Sequence, residues 1–499
     1  MVSGPISRRL LLGGLAALAV TTAACTSPTT PGGTARKTLD VGATLEPPTL
    51  DPTMSDAASI PQLLLYNVYE TLVKLDSDGK IKPLLAQRWD VSSDGTEYRF
   101  SLDKGAKFAS GTAVDAKAVV AGIEKMRTSS SATIKSQLAP IDTVTAADSG
   151  TVVVTLKKPS NSWLYSMTST PGIIVDPAVT DMATQPMGSG PFAYSKWTKG
   201  DSITLTKNIN YWGTPGRFDE VTFRYYLEAN AMIAAMLAGD LDIISNLQAP
   251  QSVSQFSDAS RFTVVDGTTT GEVTMGFNHS SPALANLKVR QAICHAIDRK
   301  ALLNTVWAGH GQLIGSHASP TEPYYEDLSN TYPYDPAKAK ALLAEAGVTN
   351  LNLRFRVPVT KYATDSATFV QSQLKDVGIT TTIEQLDFPR WLSEVFTKGD
   401  YDMTIVAHVE PRDLVKWADP KYYWHYNNPE LQKLVADADA GSADDYVRLM
   451  KQAAKLLADD AAADWLFLLP NLVVTTSQIT GIGANATSLS FDLTTIASR

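Results

Sequence analysis

A mixed α/β fold is predicted, because strand-like segments alternate with helical segments that have clear start and stop signals. β-Branched and aromatic residues mark three of the strand-like segments, at residues 97–102, 152–156 and 203–206. A helix is predicted from Asp335 to Gly347, since aspartate favours the N-cap, the proline after it favours the first turn, and glycine favours the residue beyond the last turn. Another helix is predicted from about Asp365 to Val377, ending at Gly378 for the same reason.

The composition indicates a globular protein that is long enough for two or three packed domains. The chain has 499 residues, of which 44% are hydrophobic and 19% are charged, and its net charge is -8. It contains no run of lysine and arginine residues. Nucleic acid is therefore not an expected partner.

Residues 1–24 predict a signal peptide for export. Two arginines at positions 8 and 9 precede an apolar run that is shorter than the ~20 residues needed to span a bilayer, and small residues then lead to Cys25. This stretch resembles a lipobox, in which Cys25 would be acylated and would anchor the protein to the outer face of the cell membrane. Thr22 stands where a lipobox usually has leucine, so ordinary cleavage nearby is the alternative. Sec export and twin-arginine export both fit the leader.

Residues 25–37 predict a flexible tether, because they are rich in proline, glycine and threonine and lack apolar periodicity. The only other cysteine is Cys294, which lies in an amphipathic helical segment at residues 289–297. We expect Cys294 to be a small residue of the core. No disulfide is expected if Cys25 is acylated.

Several short motifs follow one another in order through most of the chain. They are Leu50-Asp51-Pro52, the segments 69–72, 79–89, 93–100 and 107–112, Gly188 to Phe192, Asn210-Tyr211-Trp212, and the segment 289–299. Together these motifs resemble the family 5 extracellular solute-binding proteins of bacterial ABC importers. The segment 107–112 departs from the family pattern, because it has Ala-Ser where His-Asp is usual.

The resemblance implies a two-lobed clamp of the type II periplasmic-binding-protein fold, with an extra subdomain in lobe I. Two crossings between the lobes are implied, near residues 271–278 and 466–471. The implied domains are lobe Ia at 38–66, 188–270 and 469–499, subdomain Ib at 67–187, and lobe II at 271–468. Such a clamp closes when one ligand contacts both lobes.

The resemblance also implies a ligand-binding acid in the loop after the strand-like segment 401–406. This loop commonly reads Asp-Tyr-Pro-Asp-Pro in the family, whereas here it runs from His408 to Trp417 with a different spacing, which leaves the register of the acid open. Glu410 and Asp413 are the candidates for holding a ligand cation, and Arg412 is the candidate for pairing with a ligand carboxylate.

Trp417 is the candidate for covering an apolar or ring surface of the ligand. Each of these loop residues has a structural alternative, namely a surface ion pair or an aromatic of the core. Family analogy also places Met54, Phe277 and Asn278 at the cleft. His408 and Glu410 lie on one face of a strand, but two residues are too few for a metal site, and no metal or other cofactor is expected.

The function that the resemblance implies is capture of a dipeptide or oligopeptide outside the membrane. The expected partners are the permease and ATPase subunits of an ABC importer, and the binding protein itself is expected to be a monomer and not an enzyme. Alternative ligands are an oligosaccharide, a nickel chelate or haem. A sensor built on the same clamp and a secreted hydrolase remain as alternatives from other functional classes.

Overall fold

Twenty strands form five sheets in the computed structural model, which describes residues 37–55 and 57–499. In chain order the strands are β1 (Thr38–Ala43), β2 (Glu70–Thr71), β3 (Val73–Leu75), β4 (Ile81–Pro83), β5 (Ala86–Val91), β6 (Glu97–Leu102), β7 (Ile141–Asp148), β8 (Thr151–Leu156), β9 (Ile173–Ile174), β10 (Phe192–Thr198), β11 (Ser202–Lys207), β12 (Glu220–Tyr225), β13 (Ile243–Ile244), β14 (Phe262–Phe277), β15 (Leu351–Pro358), β16 (Ile379–Leu386), β17 (Met403–His408), β18 (Ala463–Thr476), β19 (Ile479–Thr480) and β20 (Ala497–Ser498).

Twelve α-helices lie between these strands in the described part of the chain. They are α1 (Ser59–Leu64), α2 (Ala116–Arg127), α3 (Ala132–Leu138), α4 (Asn161–Ser166), α5 (Ala229–Ala238), α6 (Leu287–Ala296), α7 (Arg299–Trp307), α8 (Pro336–Glu345), α9 (Lys361–Asp376), α10 (Phe388–Trp391), α11 (Pro429–Ala440) and α12 (Ala443–Asp459). Short 3-10 helices occur at Thr170–Gly172, Pro250–Phe256, Asp413–Ala418 and Leu493–Thr495, and a π-helical turn occurs at Leu392–Thr397. No helix among the described residues is both long enough and apolar enough to cross a membrane.

One ten-stranded mixed sheet runs through the molecule in the order β10-β11-β12-β1-β13-β18-β14-β17-β15-β16. The long strands β14 and β18 pair antiparallel at its centre and connect its two ends. Their register is interrupted between Thr268 and Glu272. On one side of this interruption β18 pairs with β13, and on the other side β14 pairs with β17. A hinge between the two ends of the sheet therefore has a natural position at residues 269–271 and the facing Leu469.

The buried side chains divide into groups that define three parts of the molecule. Residues 39–69, 175–262 and 472–496 form cores on both faces of one end of the large sheet, and we call this part the first lobe. Residues 273–468 cover both faces of the other end, and we call this part the second lobe. Residues 72–174 enclose a separate core against the four-stranded sheet β5-β6-β8-β7, and we call this part the small-sheet subdomain.

Local sequence signals account for most helix ends. The prediction for α8 is confirmed, because the carboxylate of Asp335 accepts a hydrogen bond from the backbone of Lys338 and Gly347 takes the left-handed conformation with φ of 69°. The end of α9 before Gly378 is confirmed as well. Its predicted start is wrong by four residues, since the buried stripe of the helix already begins at Ala363.

The three predicted strands are confirmed as β6, β8 and β11, and Cys294 is buried in α6 as predicted. The segments 271–278 and 466–471, where the resemblance implies crossings between the lobes, overlap the paired strands β14 and β18. The domain boundaries of the sequence analysis remain predictions. The signal peptide, Cys25 and the tether before Lys37 lie outside the described residues.

Candidate functional site

A cavity of about 320 Å³ lies between the small-sheet subdomain and the second lobe. Both parts contribute apolar, hydroxyl and charged side chains to its wall. Its lining includes Ile134, Gln137, Trp163, Tyr165 and Thr168 of the subdomain, and Glu410, Arg412, Asp413, Lys416 and Tyr446 of the second lobe. A pocket that is closed from two sides by different parts of a clamp is the natural place for a ligand.

The loop after β17 brings the charged residues to this cavity. Pro411 leads into Arg412, whose φ of 59° is left-handed, and the 3-10 helix Asp413–Ala418 follows directly. The carboxylate of Glu322 accepts hydrogen bonds from the backbone N–H groups of Arg412 at 2.5 Å and Ser319 at 3.1 Å. A non-glycine residue in this conformation is strained, and the surrounding structure has to hold it there.

Glu410 and Lys416 form an ion pair at the wall of the cavity. The Nζ atom of Lys416 lies 2.5 Å from Oε2 of Glu410 and 3.7 Å from Oδ2 of Asp413. Although burial lowers the pKa of Lys416, the two carboxylates outweigh it and raise that pKa above its usual value. Lys416 is therefore charged and is shared between two acids.

Asp413 is almost fully buried and is held by histidine side chains. Nε2 of His317 lies 2.7 Å from Oδ1 of Asp413, and the indole N–H of Trp465 donates to Nδ1 of His317 at 3.1 Å. Because Nδ1 accepts this bond, the ring proton sits on Nε2 and is donated to the carboxylate. Burial alone would raise the pKa of Asp413, but His317, His408 and Lys416 together hold it well below its usual value.

Two further carboxyl groups, those of Glu272 and Glu322, lie buried behind the loop. Burial raises the pKa of both groups, and the negative charge of Asp413 raises it further. Neither of them lines the cavity, whose wall has the acids Glu410 and Asp413 and the bases Arg412 and Lys416 in equal number.

His317, His408 and Asp413 are close enough together to be considered as metal ligands. Both nitrogens of His317 are already engaged, however, by Asp413 and by Trp465. Nε2 of His408 lies 3.0 Å from the hydroxyl of Tyr423. With the Lys416 ammonium beside Asp413 as well, the cluster is built as a hydrogen-bonded network around one carboxylate rather than as a set of free ligands.

The guanidinium of Arg412 spans the gap between the subdomain and the second lobe. Its Cζ atom lies 3.7 Å from the ring centroid of Tyr165 in the subdomain and 5.8 Å from that of Tyr446 in the second lobe. Cation–π contacts of this kind hold a planar guanidinium in place without using all of its N–H donors. Arg412 can thus contact both parts of the clamp and still donate to a ligand.

Comparison with known proteins identifies the chain at the level of a family. The family described as bacterial extracellular solute-binding proteins, family 5 Middle, matches residues 80–428, which is more than half of the chain. The chain belongs to this family. Family 5 proteins are transport binding proteins, and this family 5 protein is accordingly not an enzyme.

Individual relatives agree with this result. The glutathione-binding protein GsiB of Pectobacterium atrosepticum is 29% identical over 358 residues, which is 68% of either chain. The probable D,D-dipeptide-binding periplasmic protein DdpA of Escherichia coli is 27% identical over 86% of this chain and 88% of its own. The structure of the periplasmic binding protein DppA from Helicobacter pylori in complex with peptide STSA superposes with a TM-score of 0.79, at 22% identity, over 93% of this chain and 98% of its own. The fold is therefore that of the type II periplasmic binding proteins.

The structure of this family 5 protein brings some of the sequence-predicted site residues together and leaves others apart. Glu410, Arg412 and Asp413 all line the cavity. Trp417 does not, because its ring is buried and stacks on Trp424 with 3.7 Å between centroids.

Three predicted cleft residues also lie away from the cavity lining. Met54 is exposed, with 61% of its surface accessible. Phe277 is fully buried in the core of the second lobe. The side-chain amide of Asn278 donates to the backbone oxygens of Gly399 and Tyr401 at the far end of β14.

Several residues of the site were missed by the sequence analysis. Lys416 had a local signal, since it follows Asp413 by three residues, as an ion-pair partner on a helical turn would. His317 and Tyr165 had none, because they come from other segments of the chain and reach the site only through the tertiary fold.

His408 gives the stability of the protein a testable dependence on pH. Burial lowers the pKa of His408 from 6.5 to about 4. Between these values the unfolded chain binds a proton at this residue and the folded chain does not, so the free energy of unfolding falls as the pH falls. We expect the His408→Gln variant to lose less stability than the wild type between pH 7 and pH 5, by at most about 2 kcal/mol.

Urea unfolding at the two pH values measures this difference. The control is His310→Gln, which changes a histidine that pairs with Asp266 near the surface. If the wild type and His408→Gln lose the same free energy between pH 7 and pH 5, His408 is not held in its neutral form by the fold.

Proposed function

We propose that this protein captures a dipeptide or short oligopeptide outside the membrane and delivers it to the permease of an ABC importer. The cavity between the small-sheet subdomain and the second lobe carries this proposal, because its wall presents two acids and two bases within one cavity. A zwitterionic peptide has one charge of each sign to match them, and a buried charge without a partner would cost several kcal/mol. The relatives are named for binding glutathione and a D,D-dipeptide, and the similar structure holds the peptide STSA, which supports a peptide ligand here.

Glu410 is the acid that we assign to the ligand ammonium. Its side chain is 39% exposed at the cavity wall and pairs with Lys416. A ligand ammonium can take the place of the Lys416 ammonium in this ion pair. Asp413 is the weaker candidate, since His317 already occupies its carboxylate. We assign Arg412 to the ligand carboxylate, because a guanidinium binds a carboxylate through two parallel hydrogen bonds.

We further propose that the exported protein is a monomer, anchored through an acylated Cys25 to the outer face of the cell membrane. The lipobox-like sequence before Cys25 and the tether after it support this anchor. The mass of the amino-terminal peptide from a membrane fraction tests it, since an unmodified terminus or cleavage at another residue would rule the anchor out.

A ligand screen tests the peptide proposal. The chain from Lys37 onward is heated with di- to pentapeptides, oligosaccharides, nickel chelates and haem, and hits are measured by calorimetry. A ligand at 100 times its Kd adds about 2.7 kcal/mol of stability and so raises the melting temperature visibly. We expect peptides to stabilise the protein. Stabilisation by a sugar, a chelate or haem, with every peptide silent, would keep the importer role and reject the peptide.

The Glu410→Gln variant tests the assigned acid. We expect it to raise the Kd of a peptide hit about tenfold, or by about 1.4 kcal/mol, because a charged hydrogen bond to the ammonium becomes a neutral one. Glu345→Gln is the matched control, since Glu345 pairs with Lys288 on the surface of the second lobe. An N-acetylated form of the same peptide has no ammonium and should bind the wild type and Glu410→Gln with equal affinity. If its affinities for these two proteins differ, Glu410 acts on something other than the ammonium.

A further inference from the structure

A second cavity, of about 610 Å³, lies on the other side of Arg412. The small-sheet subdomain and the second lobe both line it, with Tyr98 and Leu164 from the subdomain and Pro323 and Val447 from the second lobe. Arg412 and Tyr446 line both cavities. These two side chains are therefore the shared wall, and Tyr165 completes the wall on the side of the first cavity.

The position of the guanidinium in this wall is fixed from three sides. Its backbone is held in the left-handed conformation, with the N–H group bonded to Glu322. Its Cζ atom lies over the ring of Tyr165 at 3.7 Å from the centroid, and the centroid of the Tyr446 ring is 5.8 Å away. No carboxylate within ion-pairing distance of the guanidinium is found among the described residues, so the side chains of the two tyrosines hold its charged end.

We propose that the Arg412–Tyr165–Tyr446 wall sets the length of the ligand. A ligand that ends at Arg412 fills the first cavity only, whereas a longer ligand has to displace the guanidinium and extend into the second cavity. This inference rests on the proposed function, because it assumes that the ligand is a peptide. It assigns to Arg412 a role beyond pairing with a carboxylate, namely exclusion of chain beyond it.

The chemistry of the second cavity indicates what an extended ligand would place there. Its polar lining comes from hydroxyl groups, those of Ser92, Ser160 and Ser442 among them, from the amide of Asn161 and from Asp94. The carboxylate of Asp94 already accepts hydrogen bonds from Ser92 and Thr96. Arg412 is the only cationic side chain among the described residues of this lining, and Ser93, Asp94 and Ser442 are exposed there. Once the guanidinium has moved, the second cavity therefore suits an uncharged peptide segment whose terminal carboxylate stays in solvent.

Substitution of Arg412 separates exclusion from charge pairing. Arg412→Gly removes the side chain at a position whose φ of 59° favours glycine, so this variant is expected to fold. Arg412→Ala is the second variant. Arg448→Ala is the control, since it removes an arginine that pairs with Asp445 on the exposed face of α12. Calorimetry with di-, tri-, tetra- and penta-alanine gives the affinity of each protein for each length.

We expect the wild type and Arg448→Ala to bind dialanine at least tenfold more tightly than tetra-alanine. In Arg412→Gly and Arg412→Ala we expect dialanine to lose affinity at least tenfold, while tetra-alanine keeps or gains affinity, so that the length preference changes by tenfold or more. An equal loss at every length would overturn the proposal, because Arg412 would then be a carboxylate partner only.

A crystal structure of unliganded Arg412→Gly gives a result that does not depend on the ligand. One continuous cavity from Pro140 to Val447 supports the wall, and closure of the gap by rotation of Tyr165 or Tyr446 overturns it. If no peptide binds any of the proteins, the proposed peptide ligand is rejected, and the crystal structure still decides whether Arg412 divides the space.

Discussion

Replacing Asp413 with alanine is expected to lower the free energy of unfolding by about 3–5 kcal/mol, the loss typical of breaking a buried ion pair from one side. The side chain is only 4% exposed, and its carboxylate contacts His317 and lies 3.7 Å from the ammonium of Lys416. Removing it leaves the His317 N–H without its acceptor and leaves Lys416 with Glu410 alone. Chemical denaturation at pH 7 measures the loss.

A double-mutant cycle identifies the source of that loss. If an uncompensated charge on Lys416 is the main cost, Asp413→Ala should cost much less in a Lys416→Met background than in the wild type. Asp365→Ala is the control, since Asp365 forms an exposed ion pair with Lys361 and should change stability by less than about 1 kcal/mol. A loss below about 1 kcal/mol for Asp413→Ala would mean that the network contributes little to the fold.

Lowering the pH should weaken the same network of Asp413, His317, His408 and Lys416. Because the pKa of Asp413 is lowered by its partners, its contribution to stability is present above the ordinary aspartate range and is lost as the pH falls through the lowered value. The neutral state of His408 adds to this loss between pH 6.5 and about 4. Glu272 has a raised pKa, so its contribution to stability increases as the pH falls. The dependence of wild-type stability on pH is therefore a sum over these groups, and variants of single residues are needed to separate them.

Elements with local signals were predictable from the sequence. Asp335 and Gly347 act within a few residues of their own helix ends, and their effect does not depend on the rest of the fold. The start of α9 was misplaced because no capping side chain marks it: Thr360 makes no side-chain hydrogen bond at that end, and the helix is defined there by its buried face. Packing, unlike capping, is decided by distant residues.

The candidate site was predictable only in part for the same reason. The loop from Glu410 to Asp413 was identified from its position after a strand, but the role of Asp413 depends on His317, which lies 96 residues away in the chain. Trp417 carries the same side chain whether it faces a ligand or the core. Its stacking on Trp424 places it in the core, and that contact follows from the turn between the two residues rather than from either one alone.

Ligand affinity is expected to depend strongly on Asp439, which connects the second lobe to the small-sheet subdomain. It lies in the last turn of α11 in the second lobe, where the helix dipole disfavours a carboxylate. Its Oδ1 atom accepts hydrogen bonds from Ser160 Oγ at 3.0 Å, from the Ser162 backbone at 2.9 Å and from Ser162 Oγ at 2.7 Å, all in the small-sheet subdomain. Beside it, the side-chain amide of Asn161 donates to Gly441 O at 2.7 Å. These bonds join the two parts of the clamp. Asp439 itself lines neither cavity, although Ser162 lines the first and Ser160 lines the second.

Asp439→Ala is therefore expected to weaken ligand binding without touching the ligand. The three bonds exist only while the subdomain and the second lobe are together, so their loss makes closure less favourable and the apparent affinity falls with the closed population. We expect the Kd of any ligand to rise about thirtyfold, or by about 2 kcal/mol, as for the loss of hydrogen bonds to a charged group. Calorimetry measures the Kd, and small-angle X-ray scattering measures the radius of gyration with and without ligand.

The control for this variant is Asp437→Ala, which removes an exposed acid of the same helix that pairs with Lys433. Ser162 also lines the first cavity, so its variant serves only in a double-mutant cycle: adding Asp439→Ala to Ser162→Ala should cost less than Asp439→Ala alone, because the two residues share bonds. A change at the cavity wall weakens ligands according to their charge, whereas a change at Asp439 should weaken all ligands by the same factor. If Asp439→Ala changes the order of ligand affinities, or leaves every Kd unaltered, these bonds do not govern closure.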